Sequence, residues 1–576
     1  MDEKMYDSSF KKEFVDRASV GRWTIFFFIV LFILIGSWAG WALYEGYEYY
    51  FAHNNSYELA KIIIATIYVF VLLAVTPYGL STTLVDFVII GIKFKKIASL
   101  PFKLYKNSTF DSLSKKPYVG VVCPTCDDFM PEGFIKNLEQ NYKNVIFYIL
   151  DDSKTDEYIK MIDKFVKGKP NVKLIRRTEH KYAKTGNINN FLKTYKTPCE
   201  YYVFLDADTI MRPDFIELNI KLFYSSIPNL ALVTSQISAH RSSSVFENII
   251  HYRVGNTTPY FLLQNHTGMA CYLGWAGIVK KSVLEEVNFF PEEGVLNDDQ
   301  GLQLRFVEKN FHGFFSNLSP VTSQEPLTMY EFNKRESRWY NANADLLVHE
   351  KISKDVLKSK ESPFTLKKAY FKNSFLFTMI LPIFGILSLI LNSSLYIMHF
   401  QPTGWYSITH SWLYIFAFYL LFKFLIWVFT FSHSSMRFRD GIVYLLLAGR
   451  INTASMWKFR KMIFAYVKTI FNIKQRKFNR TAKSITSNEK LTKFLIKHII
   501  YLIIEIAAIT CSFIFLPMVL SYSLPISAIL VIWSLPTFWE VVFSIISYFH
   551  TNKPYNQFDV IYKFNNIREE YAFKQI

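Results

Sequence analysis

Six apolar runs bracket a single long polar insert, and that layout leaves few folds open to the chain. The runs are Trp23–Leu43, Ile62–Leu80, Phe375–Leu395, Trp412–Phe431, Leu495–Leu516 and Ile526–Tyr548. Each approaches or exceeds the ~20 residues a helix needs to cross a bilayer core. With 51% hydrophobic residues, 55 Phe, 36 Tyr and only 19% charged residues, the composition agrees with membrane insertion. Arg22 and Trp23 at one end of the first run, and Trp38 and Trp41 toward the other, stand where interfacial anchors belong. That run is too long for a signal peptide and is soon followed by a second span, so it is expected to be retained.

The net charge of +18 raises a nucleic-acid reading, but its distribution supplies a better one. Lys4, Lys11, Lys12, Arg17 and Arg22 crowd the first 22 residues, and residues 432–493 hold fourteen more Lys and Arg. Tyr44–Ala60, Ile397–Ser411 and Ser521–Ser527 hold none. Cytoplasmic segments accumulate Lys and Arg, so both termini and both long loops are expected inside a cell membrane, with all six spans alternating. The run Asp440–Phe471 mixes Phe, Leu, Ile and Trp457 with Arg and Lys, the pattern of helices lying in the inner interface. Cys123 and Cys126 have redox spacing, but no thioredoxin-type pattern follows them. In a cytosolic domain such thiols are packing residues.

Between about residues 101 and 370 the pattern alternates strands and helices: strands Tyr118–Cys123, Val145–Leu150, Val172–Arg176 and Tyr201–Leu205, helices Gly133–Gln140, Thr155–Lys167 and Asn187–Thr194. Such alternation implies βαβ units and a mainly parallel sheet, whose ligands bind beyond the carboxyl ends of the strands. Acids fall at those ends. Asp127 and Asp128 follow the first strand, Asp151 and Asp152 end the second, and Asp206 and Asp208 end the fourth. Asp206 and Asp208 share a face of extended chain, and two like charges that close need a cation between them. Mg²⁺ (or Mn²⁺) takes one or two carboxylates plus substrate phosphates. Neither a dinucleotide fingerprint nor a P-loop is present. The sheet edge is left to hold a base and ribose on Asp151 and Asp152 and a metal-bound diphosphate on Asp206 and Asp208. Lys184 opens a helix whose free N–H groups favour phosphate.

With these residues the chain resembles the processive, membrane-embedded family 2 glycosyltransferases: bacterial cellulose synthases, other β-glucan synthases, hyaluronan and chitin synthases. VVCPTCDD is similar to the family's first strand and its acidic end, and YILDDS to its uridine-contacting Asp-Asp-Gly. YAKTGNINNFL and FLDADTIMRPDF resemble the lysine motif and the metal-binding Asp-x-Asp. VLNDDQGLQLRF matches the region whose last acid is the general base, here Asp299. EPLTMYEFNKRESRWY matches the acceptor motif Gln-x-x-Arg-Trp, giving Arg335, Arg338 and Trp339. FNRTAK resembles the gating loop, giving Phe478, Arg480, Thr481 and Lys483. The departures are Arg335 for Gln and Arg480 for Val; beyond residue 550 only a short tail follows.

The resemblance implies a GT-A-type α/β domain inserted between membrane helices. The expected divisions are a basic terminus (1–22), two spans (23–100), the transferase domain (101–370), two spans (371–431), interfacial helices with the gating loop (432–493), two spans (494–550) and a tail (551–576). The implied reaction polymerises a UDP-sugar, UDP-glucose the expected donor, into a β-linked polysaccharide exported across the bilayer, without nucleic acid. One base with no enzyme nucleophile implies direct displacement with inversion. Two competing readings stand beside it. One is a transferase that adds a single sugar to a lipid. The other is a transporter with a nucleotide-sensing domain, which would require coupling charges in the spans, where only Glu505 and Glu540 stand out.

Overall fold

The computed structural model describes residues 17–53, 56–237, 258–265, 277–292, 298–348, 351–362, 488–519 and 537–548, with short pieces and single residues between them. Eight strands form one sheet in the order β3-β2-β1-β4-β7-β6-β8-β5. They are β1 Tyr118–Thr125, β2 Val145–Asp151, β3 Val172–Ile175, β4 Cys199–Phe204, β5 Ile210–Met211, β6 Leu230–Ile237, β7 Gly277–Lys280 and β8 His312–Thr322. In β1 the run Val-Gly-Val-Val-Cys is buried on both faces, as expected of a strand covered on both sides. Val119, Val121, Phe147, Ile149 and Val203 pack into one core layer, while Val122, Tyr148, Leu150, Tyr202 and Phe204 pack into the other. The period-two alternation of the strands thus builds both layers.

The sheet is mixed, and the expectation of a mainly parallel one holds for six of its eight strands. β3, β2, β1, β4, β6 and β8 run in one direction, but β7 is antiparallel to both β4 and β6, and β5 antiparallel to β8. The reason is the direction of entry. The chain leaves β6 at its carboxyl end and re-enters β7 from that same end, so no crossover intervenes. Phe204 therefore pairs with Gly277, and the start of β7 lies at the edge where β4 ends.

Three described helices are long and apolar enough to cross a membrane: Trp23–His53, Leu59–Val85 and Glu489–Ser512. They lie within α1 (Arg17–His53), α2 (Ser56–Ala98) and a later helix, Asn488–Val519. Ala39, Ala42 and Ala65 let α1 and α2 approach closely around the buried ring of Tyr68, as small residues do between helices in lipid. Of the other three expected spans, Phe375–Leu395 and Trp412–Phe431 lie almost wholly outside the described residues. Within Ile526–Tyr548 the described part is a shorter apolar helix, Thr537–Tyr548. The interfacial run Asp440–Phe471 and the gating residues Phe478, Arg480, Thr481 and Lys483 also lie outside them, apart from Ile451 and Phe471.

Of the two acids noted in the apolar runs, Glu540 is wholly buried. It accepts from Asn333 Nδ2 and pairs with His498 Nε2 at 3.2 Å, joining three helices. His498 Nδ1 donates to Phe494 O at 2.7 Å. Removing one partner leaves the other polar group buried without that contact. His498→Ala is expected to destabilise the protein by about 3–5 kcal/mol. An unchanged unfolding midpoint in detergent would contradict this.

Candidate active site

Strand register brings the acidic ends to one edge. Thr125 pairs with Asp151, so residues 126–128 lie beside residues 152–155. The Asp127 carboxylate accepts from Lys154 N at 2.9 Å and from Thr155 N and Oγ1 at 3.0 and 2.9 Å. It thereby fixes the turn leading into helix α3 (Asp156–Val166), and its own backbone is left-handed, with φ +53°. Asp128 accepts from Thr125 Oγ1 and Cys126 N. Cys126 itself donates to Asp152 O at 3.3 Å, and all five cysteines are free thiols.

The next pair is turned toward arginines that the sequence reading missed. Asp151 is buried and accepts from Arg176 Nε at 2.8 Å. Asp152 receives a forked contact from Arg177, with Nη2 at 2.7 Å and Nε at 3.0 Å, and His180 Nδ1 lies 3.2 Å away. Arg177 also donates to Lys181 O at 2.7 Å and Ala183 O at 3.0 Å. It thus fastens the entry to helix α4 (Ala183–Thr194), where Tyr182 turns the chain at φ +57°. Gly186 is required there, since a Cβ would lie 2.1 Å from Lys181 O. The only sequence signal was the basic run Arg176-Arg177 directly after β3.

Helix α4 delivers Lys184. Its Nζ lies 2.7 Å from Asp206 Oδ1 and 3.2 Å from Gly274 O. Burial works against the ammonium charge, but Asp206 and Asp298 outweigh it and raise its pKa above the usual lysine value. Asp208 is buried, and its Oδ2 accepts from Ser323 Oγ at 3.1 Å and Gln324 N at 2.9 Å. The pairing of Ile210 with Thr322 explains that contact, because it sets residues 323 and 324 next to 208 and 209.

Asp299 stands in the first turn of helix α5 (Asp298–Glu308). Burial, then the neighbouring Asp298, push its carboxyl pKa up to about 7, with Lys184 and the Gln300 N–H pulling the other way. That is near the operating range for a general base. Gly274, absent from the sequence reading, links the two halves. Its carbonyl accepts from Lys184, its φ is +82°, and a Cβ on it would lie 3.3 Å from Asp299 Oδ2. Gly274→Ala is expected to lower kcat about tenfold by straining the backbone by roughly 1–2 kcal/mol and displacing the carboxylate. Wild-type kcat in that variant would show that the close approach is idle.

Arg338 and Trp339 lie on helix α6 (Met329–Val348). Burial, then Arg335, lower the Arg338 pKa, while Asp206, Asp298 and Asp299 support its charge, so these groups share one electrostatic neighbourhood. Arg335 is turned to Glu325, at 2.5 Å, with its guanidinium 4.8 Å from the Trp339 ring centre. Among the described residues no group of three or more His, Cys, Asp or Glu could hold a metal ion. An ion here would rest on two carboxylates and on substrate oxygens.

Comparison with known proteins bears on the same region. Residues 201–448 match the family model described as Glycosyl transferase family group 2. Glucomannan 4-beta-mannosyltransferase 2 of Arabidopsis thaliana is 25% identical over 250 residues, 40% of this chain and 44% of the relative. The match therefore spans less than half the length of that relative. Among solved structures, the mannosyltransferase PcManGT from Pyrobaculum calidifontis, in complex with GDP-Man and Mn²⁺, aligns at TM-score 0.40 and 14% identity, over 62% of this chain and 98% of its own. TarS residues 1–349 from S. aureus align at TM-score 0.28 and 12% identity, over 63% and 93%.

Proposed function

We propose, from the match of residues 201–448 to the Glycosyl transferase family group 2 model, that the chain is an inverting transferase that builds a β-linked polysaccharide from a nucleotide-activated hexose and exports it. UDP-glucose is the first donor to test. The observation that carries this is Asp299, a carboxyl with its pKa pushed up to about 7, in the same electrostatic neighbourhood as the Lys184–Asp206 pair and Arg338.

Asp299 takes the proton from the acceptor hydroxyl, whose oxygen attacks the anomeric carbon from the face opposite the diphosphate. The bond from that carbon to the diphosphate oxygen breaks, and the electron pair leaves with the nucleotide. Lys184 and Arg338 stabilise the charge that grows there. Asp206 and Asp208 would hold a divalent cation, Mg²⁺ or Mn²⁺, which when bound polarises the diphosphate. Asp127, Asp128, Asp151 and Asp152 line the edge where the base and ribose fit, with Arg177 and His180 beside them. Trp339 offers a ring face to the terminal sugar of the acceptor.

The cytoplasmic placement of both termini and of the catalytic domain, and the role of Phe478–Lys483 as a loop closing over the nucleotide, belong to the same proposal. Mannosyl is the competing transferred group, because the Arabidopsis relative is named a 4-beta-mannosyltransferase. A transferase that stops after one addition to a lipid is the second reading, distinguished by product size. Purified protein should be supplied in turn with radiolabelled UDP-glucose, UDP-N-acetylglucosamine and GDP-mannose. Nucleotide release together with a high-molecular-weight product on a gel is expected. No release from any donor, with or without an ion gradient, would overturn the assignment.

A further inference from the structure

We infer that Glu325 and Arg335 form a positioning clamp that fixes the Trp339 ring as the acceptor platform and ties it to the strand end that holds Asp208. The inference rests on the transfer reading above and assigns Arg335 a different task from Arg338.

Arg335 Nη1 lies 2.5 Å from Glu325 Oε2, and the two side chains are only 12% and 7% exposed. Glu336 Oε1 stands 3.9 Å from the other terminal nitrogen. The guanidinium carbon lies 4.8 Å from the Trp339 ring centre and 5.5 Å from that of Phe332. Arg335 and Trp339 are one helical turn apart, so they meet on the same face of α6. A planar, weakly hydrated guanidinium suits that stacking better than an ammonium would. Its charge is balanced by Glu325, whereas Lys184 and Arg338 act on Asp206 and Asp298.

Glu325 is the residue after Gln324, so the clamp is anchored in the donor site. Ser323 and Gln324 both hold Asp208, and the next residue holds Arg335. The Glu325 N–H in turn donates to Glu247 Oε1 at 3.2 Å. Three consecutive residues thus connect an acid of the donor edge to the ring on which the acceptor is to lie. Cation–ring contacts that are withdrawn from solvent are worth ~0.5–2 kcal/mol, about 2- to 30-fold in binding.

The test uses full-length protein in detergent, with UDP-glucose and cellohexaose, UDP-N-acetylglucosamine and chitohexaose, or GDP-mannose and mannohexaose, whichever pair the wild type consumes. Glu325→Gln is expected to raise the acceptor KM about tenfold and to move the donor KM less than about twofold. Arg335→Lys keeps the ion pair but loses the planar stack, and should show the same split. It carries the comparison if Glu325→Gln fails to fold. A general loss of packing would instead shift both KM values together, and that result, or an unchanged acceptor KM, overturns the clamp. Wild-type protein that consumes none of the three donors overturns the transfer reading itself, and the clamp with it.

Discussion

Asp299→Asn is expected to leave sugar-nucleotide binding intact and to lower kcat by about 10²–10⁴. The amide is nearly isosteric with the carboxyl and removes only the proton acceptor. The wild-type pH profile follows from the same group. With a pKa pushed to about 7 by burial and by Asp298, the carboxyl is protonated and inactive below that pH, so kcat should rise as pH passes through about 7. The acid limb should vanish in the variant's residual activity. Stability should move the other way. The folded pKa lies above the ordinary value of 3.8, so charged Asp299 costs stability, and that cost grows as pH climbs from the unfolded pKa to the folded one. Above pH 7, Asp299→Asn should therefore stabilise the fold by ~1–4 kcal/mol, at about 1.36 kcal/mol per pKa unit. Polymer made by the variant at the wild-type rate would remove Asp299 from the reaction.

Asp206→Asn and Asp208→Asn are expected to abolish metal-dependent donor binding and turnover together, a loss of at least about 10³ in kcat/KM by the scale of electrostatic stabilisation at such centres. The two should differ in a second readout. Asp206 faces Lys184 at 2.7 Å, so Asp206→Asn removes the nearest carboxylate from a partly buried ammonium and lowers the lysine's pKa. Asp208 is held by Ser323 and Gln324, so Asp208→Asn should loosen the segment that follows β8. Isothermal titration of UDP with and without Mn²⁺ measures donor-site binding in both variants. Full UDP affinity with unchanged Mn²⁺ dependence in each variant would refute the metal assignment.

Much of the edge was legible before any coordinates. β1, β2 and β4 are short apolar runs that end in acids, and a strand's period of two settles which residues share its face. Lys184 was legible as well, because a helix start next to an acidic strand end attracts phosphate. Its partner was not: Gly274 lies 90 residues along the chain. Nor was the hold on Asp208, which comes from residues 115 and 116 positions away. The clasp of Asp152 by Arg177 crosses only 25 residues, yet depends on β2 and β3 lying side by side.

Local composition and periodicity determined three of the apolar helices, the strands of the first half of the sheet and the acids at their ends, because each of these is decided within a few residues. Tertiary structure alone decided that β7 enters antiparallel and that Gly274, just ahead of it, stands between Lys184 and Asp299. It alone decided that Arg335 faces Glu325 and the Trp339 ring. Strand pairing and direction of entry are set by which distant surfaces bury one another, and no local period encodes that.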